Sequence, residues 1–210
     1  MAQGAPDIER IARAIDRLRD AEAAVVEHDV SPTDVANLSL RHVLVVGGGV
    51  REWADLSDEQ WAERVTVLGE FCAQVGVPWL TIRLYAEGAD AAGVHLQPWT
   101  HRMGDCTVLV DPCGCGRERF ADAMRRLDPA DEVNEATVAA VLYEPADCEP
   151  DLVVVLGPPT QLPPSLVWEL AYAELVFLPT AWRDLGVPDL VDAIADFGGR
   201  RRRFGGLDDE

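Results

Sequence analysis

Lysine is missing from this chain of 210 residues: its 18 basic residues are all arginines, set against 37 acidic ones for a net charge of -19. Such a surface repels nucleic acid and anionic lipid, so neither is expected as a general partner. No lysine follows the glycine run Gly47, Gly48 and Gly49, as a P-loop would require. Long apolar runs are lacking as well, and none approaches the length of a membrane span. The N-terminal MAQGAPDIER lacks the basic-then-apolar layout of a signal peptide, so a cytoplasmic protein is expected. Five cysteines, Cys72, Cys106, Cys113, Cys115 and Cys148, make an odd set best read as reduced thiols. Cys113-Gly-Cys115, with Cys106 and His101 upstream, lacks the paired C-x-x-C spacing of a zinc knuckle, so zinc is not expected there.

What is present suits one α/β domain. A hydrophobic fraction of 48% with 26% charged residues can fill a core over this length. Ile8, Ile11, Ala12, Ile15, Leu18, Ala21 and Val25 recur at helical spacing, predicting an amphipathic helix from about Asp7 to His28. This helix and a linker occupy residues 1–40, ahead of a domain over 41–210. Within that domain HVLVV, WLTIRLYA, TVLVD and PDLVVVL read as buried strands, and a further strand is expected around Gly93 to Leu96. Helices are expected after the N-cap Ser57, over RERFADAMRRL, over NEATVAAVLY, and from near Pro188 to the arginines. Leu166 to Leu178 reads as helix or mixed structure. Strands alternating with helices predict a mostly parallel central sheet covered on both faces, with ligands at the strand C-terminal ends.

The loop after HVLVV poses the functional question. Gly47, Gly48 and Gly49 supply unusual dihedrals and bare N–H groups, which a phosphate cradle needs. Arg51 and Glu52 are its only ionisable residues, and Glu52 stands where the third glycine of G-x-G-x-x-G should be. Four arginines, Arg200 to Arg203, form the one basic run before Phe204, Gly205 and Gly206. On charge alone they are a solvated helix end or an anion contact.

The order of motifs is more specific. A strand beginning H-V, a glycine loop closing on W-A, then G-V-P-x-L-T, P-D-L-V-V, W-x-x-A-Y-A-E-L-V-F and R-R-R-F-G-G-L resembles the cis-prenyltransferase family, of the undecaprenyl diphosphate synthase type. The resemblance runs from His42 onward, with a shortened central part. It implies that fold, magnesium as cofactor and isoprenyl diphosphates as substrates.

It also exposes losses. Members carry D-G-N-x-R-W, whose aspartate serves catalysis and magnesium; here the stretch reads Gly48, Gly49, Val50, Arg51, Glu52, Trp53. The acid has become Gly48 and the arginine Glu52, which leaves Gly47, Gly48, Gly49 and Arg51 as a vestigial diphosphate loop. The family's R-T-x-G-E-x-R-x-S, which clamps the second diphosphate, is replaced by VLGPPTQLP, Val155 to Pro163, with no charge at all. Valine, glutamine and proline cannot replace bidentate arginine contacts. Glu174 matches the glutamate of the family's AYAEL block, a magnesium-site residue in active members. Arg203 and Gly205 match the R-x-G motif that members send across a dimer interface to the neighbour's diphosphate.

A chain that has lost its own site yet keeps what it donates is similar to the non-catalytic subunits of the Nogo-B-receptor and Nus-one type. This implies an accessory subunit, with no catalytic residues of its own, paired with an intact homologue or with itself, and peripheral to a membrane through partner or product. Two other readings stand beside it. One is an active enzyme of altered chemistry using Glu174, Asp111 or Glu52 around magnesium. The other is a nucleotide-binding module on the triple glycine.

Overall fold

Two runs of β-branched and leucine residues, His42–Val46 (β1) and Leu152–Leu156 (β5), are buried at every position. Strands covered on both faces read as continuous apolar runs, and these two form the centre of the sheet. The computed structural model describes residues 6–21, 35, 38–85, 96–130 and 132–200. Its six strands add Trp79–Arg83 (β2), Trp99–Met103 (β3), Cys106–Asp111 (β4) and Glu174–Leu178 (β6), in the order β3-β4-β2-β1-β5-β6. All neighbours run parallel except β3, which turns back against β4. The expected mostly parallel α/β sheet is therefore present.

Among the described residues the sheet is flanked by the helices Ile8–Ala21 (α1), Val50–Ala54 (α2), Asp58–Gln74 (α3), Gly116–Arg126 (α4), Glu135–Tyr143 (α5) and Val187–Gly199 (α6). Local chemistry sets their ends. Ser57 Oγ accepts from Gln60 N at 3.2 Å while Gln60 Oε1 accepts from Ser57 N at 2.8 Å, a capping box that starts α3. Asn134 caps α5 in the same way. Alternate strand residues such as Val45, Ile82, Val108 and Val154 join Ile11 and Ile15 of α1, Phe71 of α3 and Ile194 of α6 in the main core. A smaller core, Leu44, Val46, Val153, Val155 and Leu166, lies on the other face. Asp58 draws α1 onto α3 by accepting from Asp7 N at 3.0 Å and pairing with Arg10 at 3.2 Å.

One local expectation changes, one resolves to its mixed-structure alternative, and one extends past the described residues. The extra strand is Trp99–Met103 rather than 93–96; Leu96 lies outside any strand and 93–95 fall outside the described residues. Leu166 to Leu178 is not helical as a unit: a short 3₁₀ turn, Glu169–Ala171, leads into edge strand β6. The first helix is described only as far as Ala21, and its expected continuation to His28 lies outside the described residues.

Candidate functional site

The glycine loop sits at the C-terminal end of β1, where parallel sheets bind ligands. Several of its backbone groups are already used. Gly47 N donates to Arg83 O at 3.0 Å, Gly47 O accepts from Trp53 Nε1 at 2.9 Å, and Gly48 O accepts from Tyr85 N at 3.0 Å. Gly49 N, the amide best placed to meet an anion, donates at 3.0 Å to Oε2 of Glu52. The Glu52 carboxylate thus supplies its own negative charge to the loop. A diphosphate would have to displace it against like-charge repulsion.

Tryptophans pack beneath the same loop. Trp182 stacks on Trp53 with ring centroids 5.4 Å apart, Trp61 meets Trp53 edge-on at 5.1 Å, and Arg64 lies over the Trp182 ring at 4.2 Å. Gly48 has φ +73 and lies so close to this stack that an added Cβ would be 2.7 Å from Trp182 Cγ and 2.8 Å from Trp53 Nε1. A side chain at position 48 would therefore require the tryptophan stack to shift.

Sequence reasoning missed the second feature of this end of the sheet. Arg83 closes β2 with 1% of its surface exposed, and donates to Asp111 Oδ2 at 2.9 Å and to Glu169 Oε1 at 2.6 Å. Arg119 of α4 pairs with the same two carboxylates, at 3.3 and 3.1 Å. Two guanidiniums and two carboxylates form a closed, internally neutral group tying β2, β4, α4 and the 3₁₀ turn together. Burial works against the Glu169 carboxylate, but Arg83 and Arg119 outweigh it and hold the carboxyl at about 2. Burial, then the Glu169 charge, push the Tyr143 phenol well above its usual range. Glu169 Oε2 and the Tyr143 hydroxyl are both buried without a hydrogen-bond partner. A lone arginine inside the otherwise apolar WLTIRLY was the available signal, because a charge in a buried strand needs partners.

The proposed metal residues do not converge. Asp111 is held by Arg83 and Arg119, with Oδ1 accepting from Cys113 N at 3.0 Å, and Glu52 is turned onto Gly49. Glu174 opens β6 opposite Leu152, at the other end of the sheet from the glycine loop, and pairs with Arg200 at 3.7 Å. Among the described residues no group of three or more His, Cys, Asp or Glu could hold a metal ion. Asp111, Glu52 and Glu174, as placed here, do not form one magnesium site. Val155 is buried in β5 and Gln161 is exposed, its carbonyl accepting from Tyr85 Oη at 3.2 Å, so neither position supplies a cation. Arg51 lies exposed on α2. Arg203 and Gly205 fall outside the described residues. None of the five cysteines forms a disulfide; Cys106 opens β4 and Cys113 follows its other end.

His42 lies under this cluster, its Nδ1 at 2.9 Å from Cys148 O and its Nε2 at 2.9 Å from Thr81 Oγ1. Burial lowers its pKa from 6.5 to about 4. The unfolded chain then binds a proton that the folded chain refuses, so stability present above 6.5 falls as pH drops towards 4. Glu169 adds a second loss, from 4.5 down to about 2. The His42 share is about 3 kcal/mol at the acid end. Urea unfolding of the wild type should show this loss across the first window, and His42→Gln, which cannot titrate, should flatten it; an unchanged slope in the variant would refute the assignment.

Comparison with known proteins agrees with this architecture. The profile of the family described as "Putative undecaprenyl diphosphate synthase" matches residues 100–205. An isoprenyl transferase of Neisseria meningitidis serogroup A is 36% identical, over 90% of this chain and 95% of that protein. Isoprenyl transferase 2 of Bradyrhizobium diazoefficiens is 43% identical over 82 residues, 39% of this chain. That match and the one to the Heliobacterium mobile isoprenyl transferase span only 32% and 30% of those relatives' lengths. Lavandulyl diphosphate synthase from Lavandula x intermedia, solved with dimethylallyl diphosphate, shares the fold with a TM-score of 0.54 at 20% identity, over 81% of this chain and all of that one. A "probable undecaprenyl diphosphate synthase" from Campylobacter jejuni does so at 0.53 and 18% identity, over 79% and 98%. No described helix is long and apolar enough to cross a membrane. With a family profile over half of the chain and a relative 36% identical along nearly its whole length, the chain belongs to the undecaprenyl diphosphate synthase-type prenyltransferase family.

Proposed function

We propose that this chain is a non-catalytic member of the family, acting as the accessory subunit of a polyprenyl diphosphate synthase whose partner is a catalytically intact homologue. The observation that carries the reading is the Glu52 carboxylate seated on Gly49 N at 3.0 Å, in a loop where a side chain at position 48 would require the tryptophan stack to shift. Magnesium and both isoprenyl diphosphates then belong to the partner's site. This chain contributes Arg203 and Gly205 in trans, the guanidinium binding a diphosphate and the glycine letting the backbone pass close to it.

The surface offered to the partner is the apolar face around the turn before β6. Val167, Leu170 and Tyr172 are 56%, 46% and 65% exposed, and Phe120 and Met124 of α4 lie exposed as well. Phe120 stacks on Trp168 at 6.1 Å, which joins the two parts of the face. Large apolar side chains grouped this way mark interaction surfaces. Homodimerisation through the same face is the alternative assembly.

The test is incorporation of labelled isopentenyl diphosphate, given farnesyl diphosphate and magnesium. The chain alone should make no polyprenyl product, whereas the complex with an intact homologue from the same genome should. Arg203→Ala in that complex should lower turnover or substrate affinity about tenfold. Arg200→Ala should not, since Arg200 is engaged by Asp196 and Glu174. Tyr172→Glu should prevent co-purification. Turnover by the chain alone at the homologue's rate, or equal effects at Arg200 and Arg203, would overturn the proposal.

A further inference from the structure

Of the chain's five cysteines, three are poorly suited to thiol chemistry. Cys72 and Cys106 are fully buried in the main core, where their side chains meet, and the Cys106 thiol and then burial push the Cys72 thiol up. Burial pushes the Cys148 thiol up to about 11. In each case the thiolate that attacks another sulfur is suppressed or enclosed.

Cys113 and Cys115 differ. Both lie partly exposed in the turn between β4 and α4, so core packing does not account for them. Helix capping does not either: Cys115 is the N-cap of α4, a position that favours serine, threonine, aspartate and asparagine, and its side chain makes no capping bond. The Cys113 thiol lies over its neighbour, Sγ donating to Cys115 O at 3.6 Å, a weak contact that a serine hydroxyl would make better. Residues two apart have Cα atoms at most about 7 Å from one another, and a disulfide needs about 4.4 to 6.8 Å, so the turn has only to tighten around Gly114 to join the two sulfurs.

We propose that Cys113 and Cys115 are a redox-active dithiol that oxidises by exchange with a small-molecule disulfide, and that ring closure disturbs the apolar face beside it. One cysteine thiolate attacks a sulfur of the small disulfide, which forms a mixed disulfide and expels a thiolate. The second cysteine thiolate attacks the protein sulfur of that intermediate, closing the Cys113–Cys115 bond and expelling the other half. Two electrons thus pass to the small disulfide, and the two protons lost by the cysteines end on the released thiols.

The flanks of the turn carry the change outwards. Cys113 N donates to Asp111 Oδ1 at 3.0 Å, and Cys115 O accepts from Arg119 N at 3.1 Å. Gly116 N donates to Pro164 O at 3.1 Å, and a Cβ on Gly116 would lie 2.5 Å from Val167 Cγ2 and 2.9 Å from Ser165 O. Packed this closely, Gly116 cannot follow a tightening turn unless the stretch from Pro164 to Val167 moves as well. The dithiol itself does not depend on the accessory-subunit reading; its effect on assembly rests on that reading.

The test treats the reduced full chain with glutathione disulfide, alkylates the remaining thiols in denaturant and maps the peptides. Cys113 and Cys115 should be joined and lighter by two hydrogens, with Cys72, Cys106 and Cys148 alkylated, and dithiothreitol should reverse the change. Cys113→Ser and Cys115→Ser should each hold a lasting mixed disulfide on the sulfur that remains. Amide exchange at Gly116 and Arg119, followed by NMR, should quicken about tenfold on oxidation of the wild type and stay unmoved in the double serine variant. Oxidation should also weaken co-purification with the intact homologue. Absence of the Cys113–Cys115 bond, a mixed disulfide that persists in the wild type, exchange unmoved by oxidation, or equal co-purification of the reduced and oxidised chains would overturn the proposal. A reduced chain that binds no homologue would count against the accessory role instead, and mass and exchange would still decide the dithiol.

Discussion

Gly48→Asp, the single change that writes the family's catalytic acid back into the loop, is expected to destabilise the protein by about 3 kcal/mol or more and to restore no prenyl transfer. Two costs combine. A backbone at φ +73 disfavours any side chain with a Cβ. That Cβ would also lie 2.7 Å from Trp182 and 2.8 Å from Trp53 Nε1, which forces the indole stack to move and endangers the bond from Trp53 to Gly47 O. In a chain of this length the loss corresponds to a fall of about 6 to 12 °C in Tm. Gly49→Ala is the control, because its Cβ would meet nothing nearer than Glu52 Oε2 at 3.9 Å. Calorimetry on both variants checks the argument: a Gly48→Asp protein as stable as wild type would mean that the tryptophans yield easily, and measurable turnover would mean that the acid was the only missing part.

Arg83→Met should be more damaging still, by about 3 to 5 kcal/mol. Removing this guanidinium leaves Glu169 and Asp111 sharing Arg119, so one buried negative charge goes without compensation. Glu169→Gln creates the opposite imbalance. The double variant restores neutrality through the remaining Arg119–Asp111 pair, and its loss should fall short of the sum of the two by about 1 to 3 kcal/mol. Denaturant midpoints of the four proteins give the coupling directly; strict additivity would show that the four groups do not act as a unit.

How well the chain could be read in advance followed from where each segment lies in the sheet. Central strands such as HVLVV and LVVVL are buried on both sides, and that enclosure writes itself as an unbroken apolar run. Edge strands leave no such record. β3 is WTHRM, half polar because Thr100 and Arg102 face water, and β6 shares its apolar spacing with a helix. The glycine loop was recognisable, and so was the loss of its acid; that Glu52 would turn back onto Gly49 N was not, since this depends on the direction of a side chain. Arg83 and Glu169 stand 86 positions apart, and only the fold brings them into contact.

β6 has one further consequence. It has a single neighbour, β5, and since Glu174 N and Leu178 O both bond towards that neighbour, Leu175 and Phe177 direct their backbone groups outwards. Bare strand rims of this kind template fibre growth. Here the Leu175 carbonyl is occupied by Arg200, at 2.6 Å, and the guanidinium is held by Asp196 and Glu174. A charged plug on the rim leaves the neighbouring apolar side chains exposed while denying aggregating chains a ladder to extend.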